Sequence, residues 1–125
     1  MKTSTAHWLT TGGKEIYVRS IWEGRYAKYL EWQKKMGYIE EWWHEPHTFW
    51  FEGIKRGCVS YKPDFLVKST SQGHHWVEVK GYYDKKSVTK ISRFGRYFPG
   101  ERLDLVDSKW FRRNNAKMKI IIPDW

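Results

Sequence analysis

Three charged residues in two short apolar stretches are the side chains of this sequence best placed to do chemistry. Asp64 lies in Tyr61-Lys62-Pro63-Asp64-Phe65-Leu66-Val67, and Glu78 and Lys80 lie in Trp76-Val77-Glu78-Val79-Lys80-Gly81. Successive side chains of a strand point to opposite faces, so Glu78 and Lys80 share one side while Val77 and Val79 share the other. The valines suit a core and leave the charged pair facing a cleft. Between the two stretches, Ser69-Thr70-Ser71-Gln72-Gly73 is a turn signal. A hairpin centred near Ser71 has facing positions whose numbers add to about 142, which sets Asp64 opposite Glu78. Facing β-carbons are about 5 Å apart. Two carboxylates at that spacing repel unless a cation neutralises them, and Mg²⁺ takes oxygen ligands. Asp64 and Glu78 are therefore candidate ligands of Mg²⁺, joined by the carbonyl of Val79. Such a site serves phosphodiester hydrolysis, in which a bound cation polarises the phosphate and acidifies a water. The compact ammonium of Lys80 would orient that water and offset negative charge in the transition state.

These residues need elements to hold them. Ser20 followed by Glu23 fits a capping box, with Ser20 as N-cap. Trp22, Tyr26, Tyr29, Leu30, Gln33 and Met36 then recur at helical steps, and Gly37 is a C-terminal stop. Ile39 to Glu45 and Thr48 to Glu52 read as strands, and Gly53 to Ser60 as a basic loop. Asp64 to Lys68 and His75 to Lys80 form the arms of the hairpin. A basic helix over about 85–97 ends at Pro99-Gly100, and Leu103 to Val106 is a further strand. Ser108 starts a short helix through Asn114, and Lys119 to Ile122 is a last strand. Residues 1–13 are polar, end in Gly12-Gly13 and are expected to be a mobile arm. The order of elements predicts an α/β fold, a mixed central sheet flanked by helices, in a single domain whose core spans 20–107.

Charge narrows the partners. The chain carries 23 Lys and Arg against 14 Asp and Glu, a formal net charge of +9, which favours a densely anionic partner and nucleic acid first. No apolar run of about 18 residues exists to cross a bilayer. The N-terminal stretch lacks the apolar segment of a secretory signal, and a single cysteine, Cys58, excludes an intrachain disulfide. A cytoplasmic protein is expected. Lys85, Lys86, Lys90, Arg93 and Arg96 cluster on or beside the second helix, and Lys55 and Arg56 lie in the earlier loop. They read as phosphate contacts beside the site, with a solvated basic face as the alternative.

The longer context resembles the PD-(D/E)XK nuclease superfamily. The residues that carry the likeness are Ser20-x-x-Glu23, Glu45-Pro46, Tyr61-x-Pro63-Asp64-Phe65-Leu66-Val67 and Glu78-Val79-Lys80-Gly81. Within that superfamily the chain is similar to the endonuclease subunit of heteromeric transposases and, in its short length, to stand-alone phage endonucleases and junction resolvases. The resemblance implies a restriction-endonuclease-like core in the order αβββαβ and a Mg²⁺-dependent DNA endonuclease in which Mn²⁺ substitutes. It also implies that a glutamate on the first helix joins the metal site, and Glu23 stands at that position. The alternative role of Glu23 is the capping partner of Ser20. The alternative function is a non-catalytic nucleic-acid-binding module with a nuclease-like fold. Paired-strand cutting would need two sites and hence a homodimer, for which the aromatic surplus is a candidate interface. Trp42, Trp43 and Trp50 are assigned to core or subunit contacts rather than base stacking. A zinc site at His44, Glu45 and His47 is not expected, because positions 44 and 47 point oppositely on a continuous strand.

Overall fold

The computed structural model describes residues 5–71 and 73–125. Among these residues the fold is mixed α/β, with three helices and a mixed four-stranded sheet. The chain opens with a hairpin, β1 (His7–Thr11) and β2 (Lys14–Val18), closed by Gly12 and Gly13 at φ of 59° and 77°. Two residues with positive φ make the tight turn whose twist matches a hairpin, so the expected mobile arm over 1–13 is corrected for residues 7–13. The Gly-Gly pair was the turn signal, and Ile16 and Val18 supply the buried side that holds the hairpin down. Residues 1–4 of that arm lie outside the described residues. At Gly12 a β-carbon would fall 2.2 Å from Glu31 Oε1, so a side chain at this positive-φ position would require the Glu31 carboxylate to move.

Helix α1 (Ile21–Lys35) begins at Ser20, whose Oγ accepts the Glu23 N–H at 3.1 Å. It ends in a Schellman motif: Tyr38 N–H donates to Gln33 O at 2.9 Å and Gly37 N–H to Lys34 O at 3.0 Å, with Gly37 at φ 81°. Its buried side is Glu23, Gly24, Tyr26, Ala27, Leu30 and Glu31. Met36, counted on the apolar face by spacing, is exposed, and two carboxylates lie inside instead.

The main sheet has the order β3 (Ile39–His44), β6 (Phe65–Ser69), β7 (His74–Val79), β8 (Leu103–Val106). The first two pairings are antiparallel and the last is parallel. Phe65 faces Val77 and Lys68 faces His74, the register anticipated from the turn. A parallel neighbour needs a crossover, and α2 (Lys85–Tyr97), capped by Asp84, supplies it between β7 and β8. A two-stranded ribbon, β4 (Phe49–Trp50) and β5 (Ser60–Tyr61), takes the place of the longer strand expected over 48–52.

Residues 108–122 are a further correction. Helix α3 (Ser108–Ile121) is capped by Asp107 and runs through both the expected short helix and the expected strand over 119–122. Phe111, Met118 and Ile122 are buried at helical spacing, and this outweighs the local strand preference of the isoleucines. Alternation divides the interior in two. Phe65, Val67, Val77 and Val79 pack with α1 and Phe111 of α3, where Trp22 stacks on Phe111 at 4.6 Å between centroids. Trp76 and Leu66 pack on the other face with Phe49, Phe51, Tyr61 and Phe94. None of the described helices is long and apolar enough to cross a membrane.

Candidate functional site

β3 ends at His44, β6 starts at Phe65 and β7 ends at Val79, so three strands finish or begin at one end of the sheet. The start of α1 comes to the same end. An open cleft of about 710 Å³ lies there, and its lining includes Glu23, Asp64, Glu78, Val79 and Lys80 together. The structure thus gathers into one cleft every residue that spacing and resemblance had singled out for metal binding or catalysis.

Asp64 precedes the first residue of β6, where the ladder has no further backbone to offer β7. Its Oδ2 accepts the Val79 N–H at 2.8 Å, so a side chain caps the strand edge. Glu78 shares its side of β7 with Trp76, towards the ribbon and α2, and its Oε1 accepts the Tyr61 hydroxyl proton at 2.7 Å. The Lys80 N–H donates to Val106 O at 2.9 Å, which fixes the backbone as β7 ends. Immediately after, a β-carbon on Gly81 would meet Trp22 at 2.9 Å, so only glycine lets the chain leave the site past that ring.

Glu23 is buried, and both its carboxylate oxygens are engaged. Oε1 accepts the Arg19 N–H at 3.1 Å and Oε2 lies 2.5 Å from His44 Nε2. This is a capping box displaced by one residue, since the acceptor reaches Arg19 rather than Ser20. Glu45 completes the cluster: Glu23, His44 and Glu45 each bring a donor atom within 4.8 Å of the others. Glu45 sits at φ 48°, a left-handed conformation uncommon for a residue with a side chain. Its N–H donates to Asp64 O at 2.8 Å and its carboxylate pairs with Arg19. Such strain gathers at sites that the surrounding structure over-determines. His47 goes elsewhere, against Phe49 at 4.6 Å.

The electrostatics follow from burial. Desolvation holds the Asp64 carboxyl well above the ordinary aspartate range, and the charges of Glu78 and Glu23 add to the rise while the Val79 N–H opposes it. Desolvation also raises Glu78, against the Tyr61 hydrogen bond and the Lys80 charge. The Tyr61 phenol is pushed far up by burial and by Glu78, so it remains a proton donor to that carboxylate. Carboxylates crowded in this way favour protons or a cation over the empty ionised state.

No protein-family model and no curated protein matches this sequence. The placement of the basic residues is correspondingly informative. Of the expected phosphate contacts, Lys90 lines the cleft. Lys85 and Lys86 border a separate shallow depression with Tyr82, and Arg93 and Arg96 border another with Ile54 and Tyr97. Arg93 has a structural task, donating to Cys58 O at 2.8 Å and tying α2 to the loop after β4. Arg56 is exposed on that loop. Sequence reasoning missed Tyr61 as a partner of Glu78, Arg19 and His44 as partners of the acidic cluster, and Trp50 and Lys62 in the cleft lining. Alternation from Glu78 back across the hairpin could not have found Tyr61, which reaches it from the separate ribbon.

Proposed function

We propose that this protein is a divalent-metal-dependent DNA endonuclease with a PD-(D/E)XK-type site on a restriction-endonuclease-like core. The observation that carries the reading is the convergence of Asp64 and Glu78, both with raised carboxyl pKa, beside Lys80 in one open cleft. With the β4–β5 ribbon set aside as an insertion between β3 and β6, the elements α1, β3, β6, β7, α2, β8 agree with the αβββαβ order the resemblance implies, which supports the reading. The donor set is all oxygen, crowded and desolvated, and it fits a hard cation such as Mg²⁺, with Mn²⁺ as substitute. Asp64, Glu78 and the Val79 carbonyl would hold it, with Glu23 at the edge of the set. When bound, such a cation supplies Lewis acidity to a phosphodiester and to a water.

The chain's own groups do the rest. The Tyr61 hydroxyl fixes the Glu78 carboxylate and the Val79 N–H fixes that of Asp64, so both are oriented before substrate arrives. Lys80 orients the attacking water and offsets charge on the phosphate as the water oxygen bonds to phosphorus and one ester oxygen leaves with a proton. Lys62 and Lys90, on the cleft lining, hold flanking phosphates.

The test is cleavage of labelled DNA. Purified protein should cut or nick DNA with Mg²⁺ or Mn²⁺ and stop when chelator is added, and Lys80→Ala should lose the activity while still folding. DNA binding that falls with salt, without cleavage under either cation, would identify a non-catalytic binding module instead. Full activity in Asp64→Asn or Lys80→Ala would remove the proposed site.

A further inference from the structure

The segment Phe49-Trp50-Phe51 alternates sharply: Phe49 and Phe51 are 6% and 2% exposed, whereas Trp50 is 66% exposed. The flanking rings are firmly seated. Phe49 packs on Trp76, Phe94 and Phe98 at 4.8–5.0 Å between centroids, and Phe51 packs on Tyr97 at 5.3 Å. Trp50 is therefore held from both sides while its own ring meets no other ring of the described residues. It lies on the lining of the catalytic cleft. It also pairs with Ser60, the neighbour of the Tyr61 that fixes Glu78, so the ring and the hydroxyl that orients that carboxylate are carried by one ribbon.

The cations around it complete the picture. Lys62, Lys80 and Lys90 line the same cleft, and none of them forms an ion pair with the described residues. A fixed, exposed indole among unpaired ammonium groups matches the two parts of a nucleotide: a flat base for the ring and phosphates for the lysines. In continuous duplex the base faces are already covered by their neighbours, so a ring in the cleft finds a free face only on an unpaired base.

We propose that Trp50 is a stacking platform for an unpaired base beside the scissile phosphate, and that it gives the cleft its preference for DNA carrying such a base. The assignment rests on the cleft being the nucleic-acid site argued above.

Binding is measured in chelator, so that no cleavage enters the result. The probes are fluorescent duplexes that are continuous, that carry one unpaired base, or that carry an abasic residue at the same place. The native protein should bind the unpaired-base duplex about 5- to 100-fold more tightly than the other two. Trp50→Ala should remove that preference and leave affinity for continuous duplex within about twofold, a lysine-dominated term, and Trp50→Phe should restore most of it. A preference that survives Trp50→Ala, or an equal loss on all three probes with an unchanged melting temperature, would overturn the proposal. So would a fall from dimer to monomer in Trp50→Ala with base preference intact, since the ring would then be a contact between copies. The two readings fail separately: preference without cleavage under Mg²⁺ or Mn²⁺ refutes the endonuclease alone, and cleavage without preference refutes the platform alone.

Discussion

Replacing Asp64 with Asn tests the electrostatics of the site without any substrate. Asparagine keeps the volume and keeps an oxygen to accept the Val79 N–H now bound at 2.8 Å, so packing and the strand cap survive while one charge goes. That charge is desolvated and faces those of Glu78 and Glu23. Two unit charges about 5 Å apart repel by about 3 kcal/mol at an effective dielectric constant near 20. A net gain of about 1–3 kcal/mol is expected once part of this is already relieved by protonation. For a domain of this size that is about 4–12 °C in melting temperature. The sign with pH is fixed by the raised folded-state carboxyl. Below the ordinary carboxylate range native and variant proteins should match. As pH climbs from about 4 the unfolded chain gives up a proton that the folded protein keeps, so the native protein loses stability until its own carboxyls ionise. The advantage of Asp64→Asn in chelator should therefore grow from acid towards neutral pH and then level off. Added Mg²⁺ or Mn²⁺ should offset most or all of that advantage, because saturation to 100 times the dissociation constant adds about 2.7 kcal/mol to a protein that binds and little to one that does not. Thermal melts across pH, with and without metal, read all of this. Equal melting temperatures in chelator at pH 8, or equal shifts with metal, would refute the reasoning.

Other perturbations read other parts of the molecule. Lys80→Ala should lower cleavage about 10²- to 10³-fold and leave the metal-induced thermal shift in place, as single-turnover cleavage and melts would show. Tyr61→Phe removes the donor that favours ionised Glu78, so the acid limb of the pH–rate profile should move to higher pH and the rate at neutral pH should fall; an unmoved limb would count against Glu78 as a functional carboxylate. Lys90→Ala should weaken DNA binding evenly across sequences and reduce the slope of log affinity against log salt by about 1. Gly12→Ala places a β-carbon at φ 59° and 2.2 Å from Glu31, which should cost about 1–3 kcal/mol by denaturant titration; an unchanged midpoint would mean that the hairpin does not pack there.

The parts of the structure that could be read in advance are those fixed by local chemistry. The turn 69–73 sets the register of β6 on β7, and alternation then fixes the side of Glu78 and Lys80, so the centre of the site was legible. Helix α2 was legible over about 85–97 because Pro99-Gly100 ends it, and the structure adds Asp84 as its cap. The hairpin at 7–18 was not legible because a largely polar stretch over 1–13 ending in Gly12-Gly13 suits a loose arm as well as a tight turn. Helix α3 was cut short because Ile120, Ile121 and Ile122 form a β-prone run, although Ile120 ends 83% exposed and only the helical spacing of Phe111, Met118 and Ile122 buries anything. The partners of the site were hidden for another reason. His44 reaches Glu23 because β3 runs beside β6 and stops level with it, and Tyr61 reaches Glu78 because the ribbon folds over that face. Such proximities come from the order of strands in the sheet, which no spacing encodes.

Glu23 shows how this arrangement removes a conflict that its sequence position sets up. A capping glutamate bonded to the N-cap backbone would be turned back into its own helix and away from ligands. Here the Ser20 hydroxyl already accepts the Glu23 N–H, and the returning acceptor closes on Arg19 through Oε1 alone. The other oxygen is directed to His44 on β3. An ionised carboxylate has about four acceptor positions, so these two contacts leave lone pairs unused at the cleft lining. The helix cap and the cleft thus draw on the same side chain without competing for the same electrons. Burial of Glu23 at 4% exposure would be costly for a residue that served the cap alone, since an exposed glutamate caps as well without desolvation. The Arg19 N–H and His44 compensate that burial, and a carboxylate held next to Asp64 in this way is what the proposed cation site would require.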